Sequence, residues 1–436
     1  NLSANLNYTH YFKDNQEVTI NGDYNFFDMD RESKQWSYYT NLTGNESKSP
    51  EIFFTNSAQN IQIISFKADY EQSIKDIGKL EAGFKWAQSR TDNNLVRTDF
   101  RDAEWVPNNS QSTIFQYTES ISATYISLSK QFNPKLSLKG GLRAELTQSE
   151  GDWISSDTIT TKKYLDLFPT LFLGYNPNKI TRLGASYTLR IQRPNFEQLN
   201  PQRFYVDATS SALGNPEIDP QYIHQLSLSL GLSQHLNFGI NCQFTKKTII
   251  QTPSLDPESG DKLLTWDNFG DMNVIGASAA LTEYPVAKWL FVNGNIFFSY
   301  FESKNGNYFN STIFSQGNIS ATLVLPKETK VEFTGFYQSG LPYGYFNIKP
   351  KSDFTLGVKK GILRSRGVLS ILATDIFGTN YNRISLSDNV FKNYEFVQRS
   401  KSKQIIFTFT YRFGQGKSSK QRKVGNVDEI SRVNSG

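Results

Sequence analysis

The residues best equipped for chemistry in this 436-residue sequence share one stretch: Arg193, Asn195, Gln198, Asn200, Gln202, Arg203, Tyr205 and Asp207. Guanidiniums, amides, a phenol and a carboxylate provide donors, acceptors and a ring face. That mixture suits reversible capture of a sugar, peptide or siderophore better than bond breaking. A nucleophile–base set is missing: the sequence holds no Gly-x-Ser-x-Gly, no His-Glu-x-x-His and no phosphate-cradling glycine loop. We therefore expect no enzyme, no cofactor and no metal. His10, His224 and His235 lack ligand spacing, and the single cysteine, Cys242, excludes a disulfide framework or a multi-cysteine metal site. Asp256-Pro257-Glu258-Ser259-Gly260-Asp261 has a faint outline of a calcium loop, but a solvated turn is the better reading.

These residues need a scaffold, and period-two alternation identifies it. Leu136, Leu138, Leu142 and Leu146 alternate with Ser137, Lys139, Arg143 and Thr147. Leu226, Leu228, Leu230 and Leu232 alternate with Ser227, Ser229 and Gly231. Phe238, Ile240, Cys242 and Phe244 do the same on a strand read as 236–250, and Phe407, Phe409, Tyr411 and Phe413 on the last strand, 403–413. The alternating runs reach about 11–15 residues, whereas strands of soluble proteins have a mode of about five or six. A tilted strand crossing a bilayer needs about 9–11.

Connections alternate too. Short turns at Lys13-Asp14-Asn15, Ile74 to Ile77, Asn133-Pro134, Asn176-Pro177-Asn178, Ser233-Gln234-His235, Val286-Ala287-Lys288, Pro326-Lys327-Glu328 and Leu363 to Arg366 are separated by long polar links such as 29–59, 193–219, 251–271 and 378–402. Tight periplasmic turns and long extracellular loops mark an up-and-down barrel. Tyr11, Phe12, Phe132, Tyr175, Tyr284, Trp289, Tyr411 and Phe413 cluster at the short-turn ends, as rings at a membrane–water boundary would. The fold class expected is all-β, a transmembrane antiparallel up-and-down barrel, with outer-membrane lipid as its first partner. A slip of apolar phase near Tyr125-Ile126 suggests a bulge, and 36–42 and 51–56 are candidate strand extensions above the membrane.

Composition is compatible with this reading. The mean hydropathy of -0.48 looks soluble, but barrels with a wet lumen give negative values as well. The net charge of +5 is concentrated after Gly414, so the body has no electrostatic footprint for nucleic acid. We divide the chain into a barrel, 1–413, and a basic flexible periplasmic tail, 414–436. An outer-membrane protein must be exported, and Asn1 follows neither an initiator Met nor a signal peptide, so processing or truncation of the start is expected.

Three stretches resemble TonB-dependent receptors. Ser186-Tyr187-Thr188-Leu189-Arg190-Ile191-Gln192-Arg193-Pro194, with Leu199-Asn200-Pro201 and Gly214-Asn215-Pro216-Glu217-Ile218, is similar to the family's Arg-x-x-Arg-Pro strand end and Gly-Asn-Pro-x-Leu loop, with Ile218 in place of Leu. Ala373-Thr374-Asp375-Ile376-Phe377-Gly378-Thr379-Asn380 resembles its Asp-Ile-Phe-Asn-Thr turn, with Gly378 in place of Asn. Tyr411-Arg412-Phe413-Gly414 and Gly425-Asn426-Val427-Asp428-Glu429-Ile430 resemble the ending of the Bacteroidota outer membrane protein beta-barrel family. The resemblance implies import of a bulky substrate, a plug inside the barrel, coupling to the TonB energy system, and about 22 strands. Plug and coupling box are not among these residues.

About seventeen strands are readable, beginning at the extracellular side and ending at the periplasmic side. An even-stranded barrel with both ends in the periplasm would then lack about five strands before Asn1, and strand 2–12 should not pair with 403–413. A scaffold barrel that holds a surface lipoprotein or periplasmic partner without import is the second reading. A plug and coupling box would favour import; a resident partner would favour the scaffold.

Overall fold

The computed structural model describes all residues except 13–14, 208, 258, 307, 365, 387–393, 414–426 and 434–436. Its largest sheet has 18 strands, of which Glu104–Pro107 is a four-residue flap on one neighbour. The other seventeen form the wall. In chain order they are β1 Leu2–Tyr11, β2 Gln16–Thr40, β3 Glu46–Ile74, β4 Gly78–Arg101, β5 Thr113–Asn133, β6 Leu136–Trp153, β7 Thr158–Tyr175, β8 Thr181–Gln192, β9 Gln221–Leu232 and β10 Leu236–Lys246. They continue as β11 Asp271–Ala287, β12 Leu290–Asn305, β13 Tyr308–Leu325, β14 Thr329–Gln338, β15 Lys351–Ile362, β16 Gly367–Thr374 and β17 Gln404–Tyr411.

Each wall strand pairs antiparallel with the next, as an up-and-down wall requires. Among the described residues no ladder joins β17 to β1, in keeping with the expectation that strands 403–413 and 2–12 do not pair. Both edges keep free backbone groups. Facing hydrocarbon, each such group costs several kcal/mol.

The two faces invert the pattern of a soluble protein. Outward side chains such as Leu6, Ile64, Ile126, Leu165, Ile240, Ile313 and Phe407 are exposed, whereas inward Asp23, Ser65, Lys85, Thr91, Glu119, Glu145 and Thr147 are buried. Exposed apolar rows around a polar interior fit a wall immersed in lipid. Cys242 stands opposite Leu226 on one side and Ile275 on the other, both exposed on the outer face. Its strand ends at Lys246 rather than 250, because Ile249–Leu255 leaves the wall and pairs with Lys262–Asn268.

The short turns fall close to their expected places. One shifts: β11 runs through Ala287, so the reversal occupies Lys288 and Trp289, with two register breaks between Leu281 and Ala287 absorbing the extra residues. The aromatics at the short-turn ends are all exposed.

Two expectations are corrected. Residues 29–59 are not one loop, since β2 and β3 stay paired from Gln16↔Gln72 to Thr40↔Glu46. Nor is there a bulge at Tyr125-Ile126, because β5 keeps unbroken register with β4 and with β6 there. The slip in phase has another cause. Ile126 and Leu128 face lipid, whereas higher on the strand Phe115, Tyr117 and Ile121 point inward and are buried. The strand exchanges its apolar face as it leaves the membrane.

Candidate functional site

The lumen is organised by the segment between β8 and β9, which folds inward. Arg193, just past β8, reaches the wall with Nη2 2.8 Å from Glu145 Oε2 and 2.8 Å from Thr147 Oγ1. Burial opposes its charge, but Glu119, Tyr164 and Glu145 around it hold its pKa above the usual value. Asn195 then caps the short helix α1 (Phe196–Leu199). Its Oδ1 accepts the Gln198 N–H at 2.7 Å while Gln198 Oε1 accepts the Asn195 N–H at 2.9 Å, a reciprocal capping box. The cap turns Phe196 and Leu199 into an apolar cluster with Ile61, Ile63, Phe115, Tyr117, Ile218 and Ile249.

The return limb is locked to this helix. Gly214 N donates to Asn200 O at 2.9 Å and Asn215 N to Gln198 O at 2.7 Å. A Cβ on Gly214 would lie 2.4 Å from Asn200 O and 2.6 Å from Glu197 O, so only glycine fits. Lys162 Nζ donates to Glu217 O and Ile218 O, and Asp219 bonds both Lys162 and Lys247. Burial alone would raise the Asp219 pKa, yet these two lysines bring it below the usual carboxylate value. The Asp375 turn is a second anchor. Its carboxylate accepts from Thr379 N at 2.9 Å and Ser402 Oγ at 2.6 Å, and Asn380 Nδ2 donates to Asp353 at 2.6 Å.

The eight residues singled out in the sequence therefore divide. Arg193, Asn195, Gln198 and Asn200 hold the loop's own framework, and Asn200 is buried. Gln202 reaches Ser57 on β3, with Nε2 2.9 Å from its Oγ. Arg203 forms an ion pair with Asp256, which is buried, whereas Pro257, Ser259 and Gly260 after it are exposed, as a solvated turn would be. Asp207 ends the short strand Phe204–Asp207, and its side chain lies outside the described residues.

Tyr205 joins a group that sequence reasoning missed. Its ring lies 5.0 Å from that of Phe53, and the Arg97 guanidinium sits 3.9 Å from the Phe53 centroid and 4.8 Å from that of Tyr205. Arg97 Nε donates to Asp99 at 2.7 Å, and Asp99 also accepts from Arg101 and Asn108. Arg31 covers Phe204. The available signal was phase: Arg97 and Asp99 continue the inward row of Ser89, Thr91 and Asn93, where charge should be rare unless the row lines a chamber.

Below this group the described end of the tail enters the lumen. Helix α2 (Val427–Ser431) places Glu429 2.9 Å from Lys85, and Arg432 pairs with Glu119 and donates from Nε to Pro194 O at 3.0 Å. Ile430 and Val433 pack against the Phe196 cluster. Residues 427–433 thus lie in the lumen rather than in the periplasm where they were expected, held there by two ion pairs and two apolar side chains. Residues 414–426 lie outside the described residues. Toward the short-turn end a cavity of about 880 Å³ remains, lined by Lys79, Lys139 and serines including Ser129, Ser186 and Ser227.

Comparison with known proteins agrees with this geometry. No curated protein sequence matches the chain. Among solved structures, the ferric-catecholate import receptor Fiu of E. coli K12 is similar over 94% of this chain and 64% of its own, at 12% identity and TM-score 0.65. The ferric citrate transporter FecA covers 94% and 61%, at 14% identity and TM-score 0.64. The ferric yersiniabactin uptake receptor FyuA of Yersinia pestis covers 94% and 61%, at 13% identity and TM-score 0.59. The chain thus spans less than two thirds of the length of each of these three and shares their barrel fold, so the resemblance to TonB-dependent receptors extends to the whole wall. The model of the outer membrane protein beta-barrel family matches residues 10–411, and the chain belongs to that family, in the cell outer membrane.

Proposed function

We propose that the chain forms the wall and capture loops of an outer-membrane receptor that imports a bulky substrate by coupling to the TonB system. The observation that carries this reading is the aromatic–guanidinium cluster, where Arg97 lies between Phe53 and Tyr205 beside the inward-folded loop that carries Arg203. Stacked guanidinium–aromatic groups bind planar or anionic ligand groups well. The Arg97 charge is already answered by Asp99 and Glu51, so of the sugar, peptide and siderophore classes suggested by the loop, these ring and guanidinium planes favour a siderophore with planar groups. The three similar structures, named for ferric citrate, ferric yersiniabactin and ferric catecholate, support the same direction.

The test is uptake by cells with and without this gene, offered ferric siderophores, oligosaccharides or oligopeptides as sole source of iron or carbon. Import predicts loss of growth on one class, restored by the parent gene and impaired at least tenfold by Arg97→Ala with Tyr205→Ala. Equal growth on all three classes would defeat the import reading in favour of a scaffold that holds a surface lipoprotein or periplasmic partner.

A further inference from the structure

Beyond the outer end of the wall, one hairpin gathers cations that the described fold does not answer. Its limbs are Asn382–Leu386 and Glu395–Gln398, with Asn382 opposite Gln398 at the base; they connect through 387–393, outside the described residues. Tyr381 and Arg399 flank the base. The Arg383 guanidinium lies 5.2 Å from the centroid of the Tyr381 ring, and the Arg399 guanidinium lies 4.8 Å from the same centroid. Among the described residues neither guanidinium forms an ion pair. Two like charges at one ring repel each other, and attraction to a phenol near water is weak compensation. The surroundings carry the same sign: 349–353, 381–386 and 395–404 hold six Lys or Arg against two Asp or Glu.

The wall fixes the height and facing of this hairpin. β15 begins at Lys351 and is about as long as the hydrocarbon is thick. Its Phe354, on the outer row with the exposed Leu356 and Val358, meets Phe377 edge to face at 5.3 Å, and Phe377 is itself exposed. Such a pair of rings suits the boundary between hydrocarbon and water. Lys351, on the inner row of β15, donates from Nζ to Asn382 Oδ1 at 3.1 Å. Asn382 therefore turns toward the lumen side, and by strand alternation Tyr381 and Arg383 turn away from it. The cations stand outside the wall at the level of the outer-leaflet headgroups. Elsewhere on the rim the sign is opposite, since the outer row of β2 continues past Phe26 with Asp28, Asp30 and Glu32.

We propose that this flank binds the phosphate-bearing headgroup of an outer-leaflet lipid, with Arg383 and Arg399 as the groups that grip it. Guanidinium forks match phosphate oxygens bidentately, and an anion there turns their mutual repulsion into pairing. Directly below, the outer faces of β15 and β16 offer Leu356, Val358, Leu369 and Ile371, all exposed, to the acyl chains. Cations above an apolar surface complement a lipid rather than a free anion. The membrane also holds the lipid at this height, at a high effective concentration. The site is independent of import, since it would serve a scaffold barrel equally.

The experiment uses the whole chain purified in detergent, with folding monitored by heat-modifiable migration on gels. It is titrated with lipid A, with dephosphorylated lipid A and with inorganic phosphate, and bound lipid is counted by native mass spectrometry. Lipid A should stay bound under conditions that strip the dephosphorylated form. Arg383→Gln with Arg399→Gln should weaken it about 30-fold, as two surface cations facing an anionic headgroup would give. Arg90→Gln with Lys288→Gln removes two exposed cations elsewhere and should leave binding unchanged. Equal binding of the two lipids, full binding in the Arg383 and Arg399 variant, or equal loss in the control pair would overturn the site. Displacement of lipid A by an equal concentration of inorganic phosphate would assign the site to a free anion and overturn the lipid.

Discussion

Replacing Gly214 by alanine adds one methyl group at a tight main-chain approach in the loop between β8 and β9. The new Cβ would meet Asn200 O at 2.4 Å, Glu197 O at 2.6 Å and Asn200 N at 2.7 Å. All three are backbone atoms of one capped turn, so no side chain can rotate aside. Reaching an ordinary separation of about 3.4 Å requires the limb to shift by roughly 1 Å, which breaks the bonds Gly214 N→Asn200 O and Asn215 N→Gln198 O. Two hydrogen bonds at about 1 kcal/mol each, with overpacking of about 1 kcal/mol or more, give about 3 kcal/mol or more of local destabilisation. At roughly 1.4 kcal/mol per tenfold, amide exchange at Leu199, Asn200 and Asn215 should accelerate about 100-fold or more. Exchange mass spectrometry on detergent-purified protein reads this directly, with Gly22→Ala as the control because nothing lies within 4 Å of its added Cβ. Equal exchange in the Gly214→Ala and parent proteins would refute the account of how this loop is held.

Acid should release the same loop only below the ordinary carboxylate range. The Asp219 pKa is lowered in the fold, so its contribution is full above about pH 4, the pKa of the detached side chain, and disappears as pH falls through the lowered value. Proteolysis of 196–218 should therefore be unchanged from pH 7 to about 4 and increase below it, and cleavage already rising at pH 6 would contradict this anchor. Cys242, on the lipid face, should resist a water-soluble maleimide in intact membranes, and rapid labelling would reverse the facing of β10. Arg193→Met should leave Glu145 with Arg143 alone and cost about 3 kcal/mol of loop stability; an exchange profile identical to the parent's would show that Arg143 suffices.

The wall was legible because lipid outside and water inside enforce a period of two, which Leu226 to Leu232 and Phe238 to Phe244 display plainly. The upper parts of β2 and β3 were legible only at 36–42 and 51–56, which do extend the strands; between them and the membrane, water on both faces removes the reason to alternate, and a run such as Ser57-Ala58-Gln59-Asn60 looks like a loop. The motif around Arg193 was legible as a family resemblance. Its role was not, since the ion pair to Glu145 and the close approach at Gly214 join positions far apart in sequence. The capping box Asn195-x-x-Gln198 was the one local sign that this loop begins with a helix. The luminal destination of 427–433 was hidden because Lys85 and Glu119 looked like ordinary polar positions on alternating strands.

The unequal height of the wall has a consequence at the cell surface. β3 has 29 residues and β15 only 12. At about 3.3 Å per residue and a tilt near 40°, β3 rises roughly 70 Å and β15 roughly 30 Å, the latter about the thickness of the hydrocarbon. The β2–β3 hairpin therefore stands some 40 Å clear of the lipid on one side of the mouth, its tip fixed by Asn41, whose Oδ1 accepts from Thr43 N and Asn45 N. An antibody gripping that tip would be held well away from the opening, so binding to the hairpin tip would leave the mouth of the wall unobstructed.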